Sequence, residues 1–239
     1  SDLIVIRDPY VVLGLFVIGM FFLILFYKMP ENKNNDKVNG LNKTFKNLIK
    51  NKIYIGGVIA QTLYVGAQIM CWTYIYQYAE GIGINSEKAA DYQFIAFILF
   101  FIGRGIGTFL LKYIISKKLI LIFAIMASLF SFGTIFNDGY FGLYCLVSIS
   151  FFMSIMFPTI YGLSLKGLNE VECKIGAAGL VMAIVGGALM PTFQGMIIDI
   201  GGVNVNDIQI FGVSEVNFSF ILPLLCFVYI IFYSKTVVK

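Results

Sequence analysis

Histidine is absent from the 239 residues, and charge is scarce: Asp, Glu, Lys and Arg together make up only 13%. Without an imidazole, a zinc centre of the usual kind and a Ser-His-Asp triad both lack a member. No other grouping of nucleophile, base and stabiliser is visible, so an enzyme is not expected. The four cysteines, Cys71, Cys145, Cys173 and Cys226, show no metal-ligand spacing. They are expected to be free, buried thiols, not a disulfide framework. No cofactor, metal or nucleic-acid partner is implied. No leader of the basic-then-apolar kind precedes the first apolar run, and the chain begins at Ser1 without a methionine. That start leads us to expect further residues upstream.

What is present is apolar: 59% of the chain, including 24 phenylalanines. Soluble domains hold roughly half apolar and about a quarter charged residues. The shift is what a chain needs when lipid is its main solvent. Seven apolar runs are long enough to cross a bilayer, at residues 10–27, 53–79, 92–113, 119–136, 140–165, 175–198 and 216–233. Only Arg104 and Lys112, both in the third run, bring charge into them. Buried helices of a soluble bundle would show a charged face, and these do not.

The basic residues set the orientation. With Ser1 outside and alternate connections inside, Lys28 to Lys52, Lys112, Lys117, Lys118, Lys166, Lys174, Lys235 and Lys239 all fall inside. Arg7 and Lys88 fall outside, among acids that include Asp91, Asp138, Asp199, Asp207 and Glu215. This is a positive-inside bias. It predicts a multi-pass protein of the cell (inner) membrane, with the C-terminus and the 29–52 linker cytoplasmic. Within the linker, LNKTFKNLIKNK sets Leu41, Phe45, Leu48 and Ile49 against lysines. That pattern fits a helix lying on the inner membrane surface, and equally a solvated basic linker.

One span, a long inner linker and six further spans predict an all-α membrane protein. Residues 1–28 are expected to be the last transmembrane helix of an N-terminal half, 29–52 the linker, and 53–239 a six-helix transporter domain. Six spans built as 3+3 inverted repeats describe the major facilitator architecture. The second and fifth spans are then equivalent, as are the third and sixth, and the fourth and seventh.

A carrier needs polar side chains on a shared cavity. At 100° per residue, Gln61, Tyr64, Gln68 and Trp72 share an arc of about 80° on the second span. Amides that donate and accept, beside a flat aromatic plate, suit a sugar. The same amides could instead hold helices together. On the fifth span Ser150, Ser154, Phe157, Tyr161 and Ser164 share a face, and Tyr161 is the candidate for substrate contact. Pro158 among them predicts a kink of use in a gating helix. Gly179, Ala183 and Gly187 form a packing stripe on the sixth span, where Gln194 is a weaker cavity candidate. Arg104, flanked by Gly103, Gly105 and Gly107, is expected to act as a conformational latch near the inner mouth. No carboxylate lies mid-run, so a proton-carrying acid is expected elsewhere.

At these residues a family becomes recognisable. AQTLYVGAQIMCWTYIYQYAE resembles the seventh helix of the fucose–galactose–glucose:proton symporter family, within the major facilitator superfamily. FFIGRGIGTFLL resembles its eighth helix, FMSIMFPTIYGLSLKGL its tenth, GLVMAIVGGALMPTFQGMIID its eleventh and RDPYVVLGL its sixth. The resemblance implies sugar import driven by protons, with the substrate held between two six-helix halves, the N-terminal half missing here. It implies that Trp72 lines the cavity. Asp91 takes the place of an asparagine in the fucose carrier and joins Arg104 and Pro158 as a gating candidate. Phe157 and Met156 replace a tyrosine and a glutamine, which leaves the hexose open. The family's proton-carrying acids lie in its first half. An exporter of apolar compounds and a non-transporting membrane receptor are the other classes to weigh. The Gln61–Gln68–Trp72 face argues against the first of these.

Overall fold

The computed structural model describes residues 2–26, 41–202 and 208–236. Half of the expected linker, 29–40 with Lys33 and Lys37, lies outside the described residues, as do Lys28, Asp207 and Lys239. The chain divides into two units, Ser1–Asn39 and Gly40–Lys239. In the first, α1 (Asp2–Phe26) carries the apolar stretch Tyr10–Phe26. That stretch reaches about 26 Å at 1.5 Å per residue, near the lower end of what a hydrocarbon core requires.

The second unit begins with α2 (Leu41–Lys50), α3 (Lys52–Thr73) and α4 (Ile75–Gly81). There follow α5 (Ser86–Leu110), α6 (Ser116–Phe136), α7 (Tyr140–Met153) and α8 (Met156–Leu165). α9 (Glu170–Met182) and α10 (Gly186–Ile198) are joined by a 3-10 turn, Ala183–Val185. A hairpin of β1 (Gln209–Ile210) and β2 (Val213–Ser214) leads into α11 (Glu215–Ser219) and α12 (Ile221–Thr236). Its two-residue turn, Phe211 and Gly212, has positive φ at both positions, as the tight hairpin turn demands.

Six segments of this unit are long and apolar enough to cross a membrane: Lys52–Thr73, Ser86–Leu110, Ser116–Phe136, Tyr140–Leu165, Glu170–Ile198 and Glu215–Thr236. They match the six expected runs, with earlier starts where asparagines cap them. Asn51 accepts from the amides of Ile53 and Tyr54, and Asn85 from that of Lys88. Asn169 accepts from the Glu172 amide at 2.9 Å while the Glu172 carboxylate accepts from the Asn169 amide at 3.3 Å. This reciprocal box starts the helix at Glu170, ahead of the apolar run at 175.

Several spans are broken inside the membrane-length segment. Pro158 has no N–H to give the Ser154 carbonyl, and the helix parts at Ser154–Ile155. Pro223 stands in the same relation to Ser219, and the last span parts at Phe220. A continuous apolar run shows neither break, because hydropathy does not register backbone donors.

The bundle is closed by small residues. α3 packs on α8, α10 and α12, α6 on α7 and α12, and α5 on α7. The contacts are consistent with two inverted three-span repeats. A Cβ at Gly186 of α10 would collide with the Thr62 carbonyl of α3, and one at Gly66 of α3 with the Met190 side chain. The expected stripe of Gly179, Ala183 and Gly187 does face α3: a Cβ on Gly179 would strike the Tyr54 hydroxyl, and one on Gly187 would lie 3.1 Å from Val65. At its other end α2 seats Leu48 against Tyr54 and Leu180, leaving Phe45 and Ile49 exposed. Three cysteines are buried and free as expected; Cys173 is free but only half-buried, since it lies in the first turns of α9 near the Leu165 and Leu168 carbonyls.

Candidate functional site

The four residues that share one arc of α3 meet different surroundings along its length. Gln61 and Tyr64 are fully buried. The Tyr64 hydroxyl donates to the Met153 carbonyl at 2.9 Å, at the end of α7 where the fifth span breaks. Its ring also meets Phe157 edge-on, with centroids 6.2 Å apart. Tyr64 therefore supplies a donor to a carbonyl that the break leaves short of one. Both ends of the Gln61 amide lie buried without a hydrogen-bond partner among the described residues.

Two and three turns further on, Gln68 and Trp72 are only half-buried. The Trp72 indole N–H donates to the Ser150 hydroxyl at 3.2 Å. Its ring stands edge-on to Phe97 at 5.0 Å and to Phe100 at 5.2 Å. An indole fixed on three sides, with part of its surface open, is a rigid plate against which an apolar ring face can stack.

Phe97 and Phe100 are the residues that sequence reasoning missed. On α5, Gln93, Phe97, Phe100 and Arg104 recur at four, three and four residues and so form one stripe. That spacing was available in the sequence, hidden among the nine phenylalanines and isoleucines of α5. Arg104 lies over the Phe100 ring, with its guanidinium carbon 5.4 Å from the centroid. It is exposed on this unit. Of the glycines around it, Gly103 and Gly107 permit close approach: a Cβ there would strike the Phe151 carbonyl or the Ile155 side chain. Gly105 faces open space, because it lies on the opposite side of the helix.

The remaining candidates are not brought to Trp72. Tyr161 packs with Ile55 and Val58 in the cluster around Leu48, Tyr54 and Leu180. Roughly 21 Å of helix separates Val58 from Trp72, more than one hexose can bridge. Ser164 bonds the Ile160 carbonyl and the Tyr233 hydroxyl, and Ser154 the Phe151 carbonyl, so neither hydroxyl is offered to a ligand. The Gln194 amide nitrogen donates to Ser219 at 2.9 Å, tying α10 to α11. Pro158 is exposed just beyond the break, and Asp91 is exposed near the start of α5. Glu215, counted from sequence among the acids of an outer connection, is fully buried in the first turn of α11. It is enclosed because α11 packs against α4 and α6.

No family model matches the chain. Comparison with known proteins gives close relatives instead. The chain is 50% identical over 234 residues to an L-fucose-proton symporter of Haemophilus influenzae, covering 98% of this chain and 53% of the relative. It is 30% identical to the L-fucose-proton symporter of Escherichia coli, covering 96% of this chain and 51% of that protein. A glucose/galactose transporter of Brucella abortus is 29% identical, again over 96% of this chain and 53% of its own length. The crystal structure of FucP, a major facilitator superfamily transporter in the outward conformation, superposes with a TM-score of 0.82 at 29% identity. That match covers 98% of this chain and 55% of the other. The chain spans about half the length of the relatives it matches. Along nearly its whole length it is similar to the C-terminal half of these sugar transporters, and it has the fold of that half of a major facilitator superfamily transporter.

Proposed function

We propose that this chain is the C-terminal half of a proton-coupled sugar importer, a transporter and not an enzyme, which takes up a hexose such as fucose, galactose or glucose by alternating access. Its partners are then the sugar, protons, the bilayer and an N-terminal half that contributes the proton-carrying acids. Residues 1–28 close that half, 29–52 form the cytoplasmic linker with α2 on the inner face of the cell membrane, and 53–239 form the C-terminal bundle.

The observation that carries the reading is the half-open pair Gln68 and Trp72 on α3, framed by Phe97, Phe100 and Ser150. A sugar has apolar C–H faces and polar hydroxyl edges. The indole plate stacks on the first, and the Gln68 amide, donor and acceptor at once, bonds the second. Gln61 and Tyr64 lie within the bundle behind this pair, and Tyr161 below it, where they support the helices that carry the site. A site between two halves is reached from the uncovered face of each half, and the partial exposure of Gln68 and Trp72 supports reading them as part of that face.

Gating falls to the fifth span. Its break at Ser154–Ile155, above Pro158, lets α8 change its angle to α7 while Tyr64 pins the Met153 end. Arg104, on α5 beside that break, is the latch, and Asp91 acts at the outer end of the same helix. The test is uptake of labelled L-fucose, galactose and glucose by vesicles that contain this chain joined to its N-terminal half. Saturable uptake of one hexose, accelerated by an inward proton gradient, is expected. Uptake of none, or uptake indifferent to the gradient, would remove the proposal.

A further inference from the structure

Beyond Trp72 the second span turns at Tyr74 and continues as α4, which packs against α5 after the short turn at 82–85. Gln77 on α4 follows Trp72 by five residues, and Gln93 on α5 precedes Phe97 by four. The two helices run in opposite directions, so both glutamines lie about 6–8 Å beyond the indole, toward the α4–α5 turn. Gln68 lies four residues to the other side of Trp72. The indole plate is thus bracketed along the bundle by amides at both ends. Gln93 also belongs to the α5 stripe that holds the plate: Phe97 and Phe100, next on that stripe, stand edge-on to Trp72 at 5.0 and 5.2 Å.

Both glutamines are half-buried, and the amide oxygen of each is enclosed without a hydrogen-bond partner among the described residues. An amide that serves as helix glue has its bond in place, as the Gln194 nitrogen does with Ser219. Gln77 and Gln93 instead offer two acceptors at one level, on adjacent helices, that lack donors. A buried acceptor without a donor is costly. Turning the amide about its last bond brings the oxygen to the open side of the residue. The two amides carry no charge and hold donors as well as acceptors, which matches hydroxyls and not ions.

We propose that Gln77 and Gln93 form the second edge of the sugar site and read the hydroxyls at the end of the ring remote from Gln68. The indole holds any hexose by its apolar face. These two amides decide which hexose is retained, since a site built to bond a hydroxyl rejects the analogue that lacks it. The inference rests on the reading of Gln68 and Trp72 as a sugar site and adds the residues that set its specificity.

The test is competition for uptake in vesicles that hold this chain joined to its N-terminal half. Whichever of labelled L-fucose, galactose and glucose is taken up is competed by each of its monodeoxy derivatives. In the parent, loss of a hydroxyl that meets Gln77 or Gln93 is expected to weaken competition roughly tenfold. Gln77→Leu and Gln93→Leu are each expected to abolish the penalty at one hydroxyl and to keep the penalties at the others. A loss of stability alone does not change that pattern. Gln77→Asn and Gln93→Asn keep the amide but draw it back by one methylene, and each is expected to reduce the same penalty. They decide the matter should a leucine variant fail to fold. A pattern identical to the parent's in the variants of either position would overturn the assignment. Penalties that respond to Gln68→Ala and not to these variants would remove the second edge alone. Uptake of no hexose by the parent would remove the sugar reading and this inference with it.

Discussion

Gln61 and Gln68 lie two turns apart on one stripe of α3, yet one is sealed inside the bundle and the other is half-open. The inner part of the stripe is covered by neighbouring spans: Gly57 meets Ser164 and Tyr233, and Tyr64 reaches Met153. The outer part meets Ser150 of α7 and the phenylalanines of α5, which frame Trp72 without covering it. Residue type and helical phase are alike in the two regions, so they do not separate glue from ligand. What separates them is how closely the next helix approaches, and that is set by glycines elsewhere in the chain.

The largest effect expected from breaking this contrast is at the open end. In the whole transporter, Gln68→Ala with Trp72→Ala removes a hydrogen-bonding edge and a stacking plate. At about 1.4 kcal/mol or more for each, kcat/KM for sugar uptake falls by roughly 100-fold; Trp72→Ala also lowers the melting temperature, because it removes the contacts with Phe97, Phe100 and Ser150, whereas Gln68→Ala alone leaves it close to that of the parent. Uptake within a few-fold of the parent would show that the sugar is held elsewhere.

Tyr64→Phe, at the closed end, should do the opposite. It leaves the buried Met153 carbonyl without its donor, which costs about 1–3 kcal/mol of stability, and the sugar KM changes little. Thermal unfolding and KM measured on one preparation make the comparison. A raised KM with unchanged stability would move Tyr64 to the ligand side. A smaller effect is expected at Gln61. Replacing an amide whose polar atoms are buried and unbonded with leucine is neutral or stabilising, by up to about 1 kcal/mol. Marked loss of uptake in Gln61→Leu would mean that the amide meets the solute in another conformation of the bundle.

Much of this architecture was legible in the sequence. Six of the apolar runs coincide with helices long enough to cross a membrane, because crossing hydrocarbon constrains composition over some 20 residues at a time. The starts at Ser86 and Glu170 were legible too, in Asn85 and in the Asn169–Glu172 box, but a hydropathy reading passes over polar caps. The site was only partly legible. Trp72 and Gln68 stand out as polar or amphipathic groups in an apolar run. Phe97 and Phe100, which hold the indole, look like any lipid-facing phenylalanine until α5 is seen packed on α7. Tyr161 shares a helical face with Ser150 and Ser154, but the break at Ser154–Ile155 separates that face into two parts, and Tyr161 goes with the inner one.

The most direct test of the central claim compares the two glutamines by labelling. In the whole transporter, with Cys173→Ser removing the least buried native thiol, Gln68→Cys and Gln61→Cys are each exposed to a small polar maleimide with and without sugar. The account predicts that the cysteine at 68 is labelled and that the transported hexose protects it, while the one at 61 stays unlabelled under both conditions. Labelling at 61 that sugar blocks, with none at 68, would contradict it.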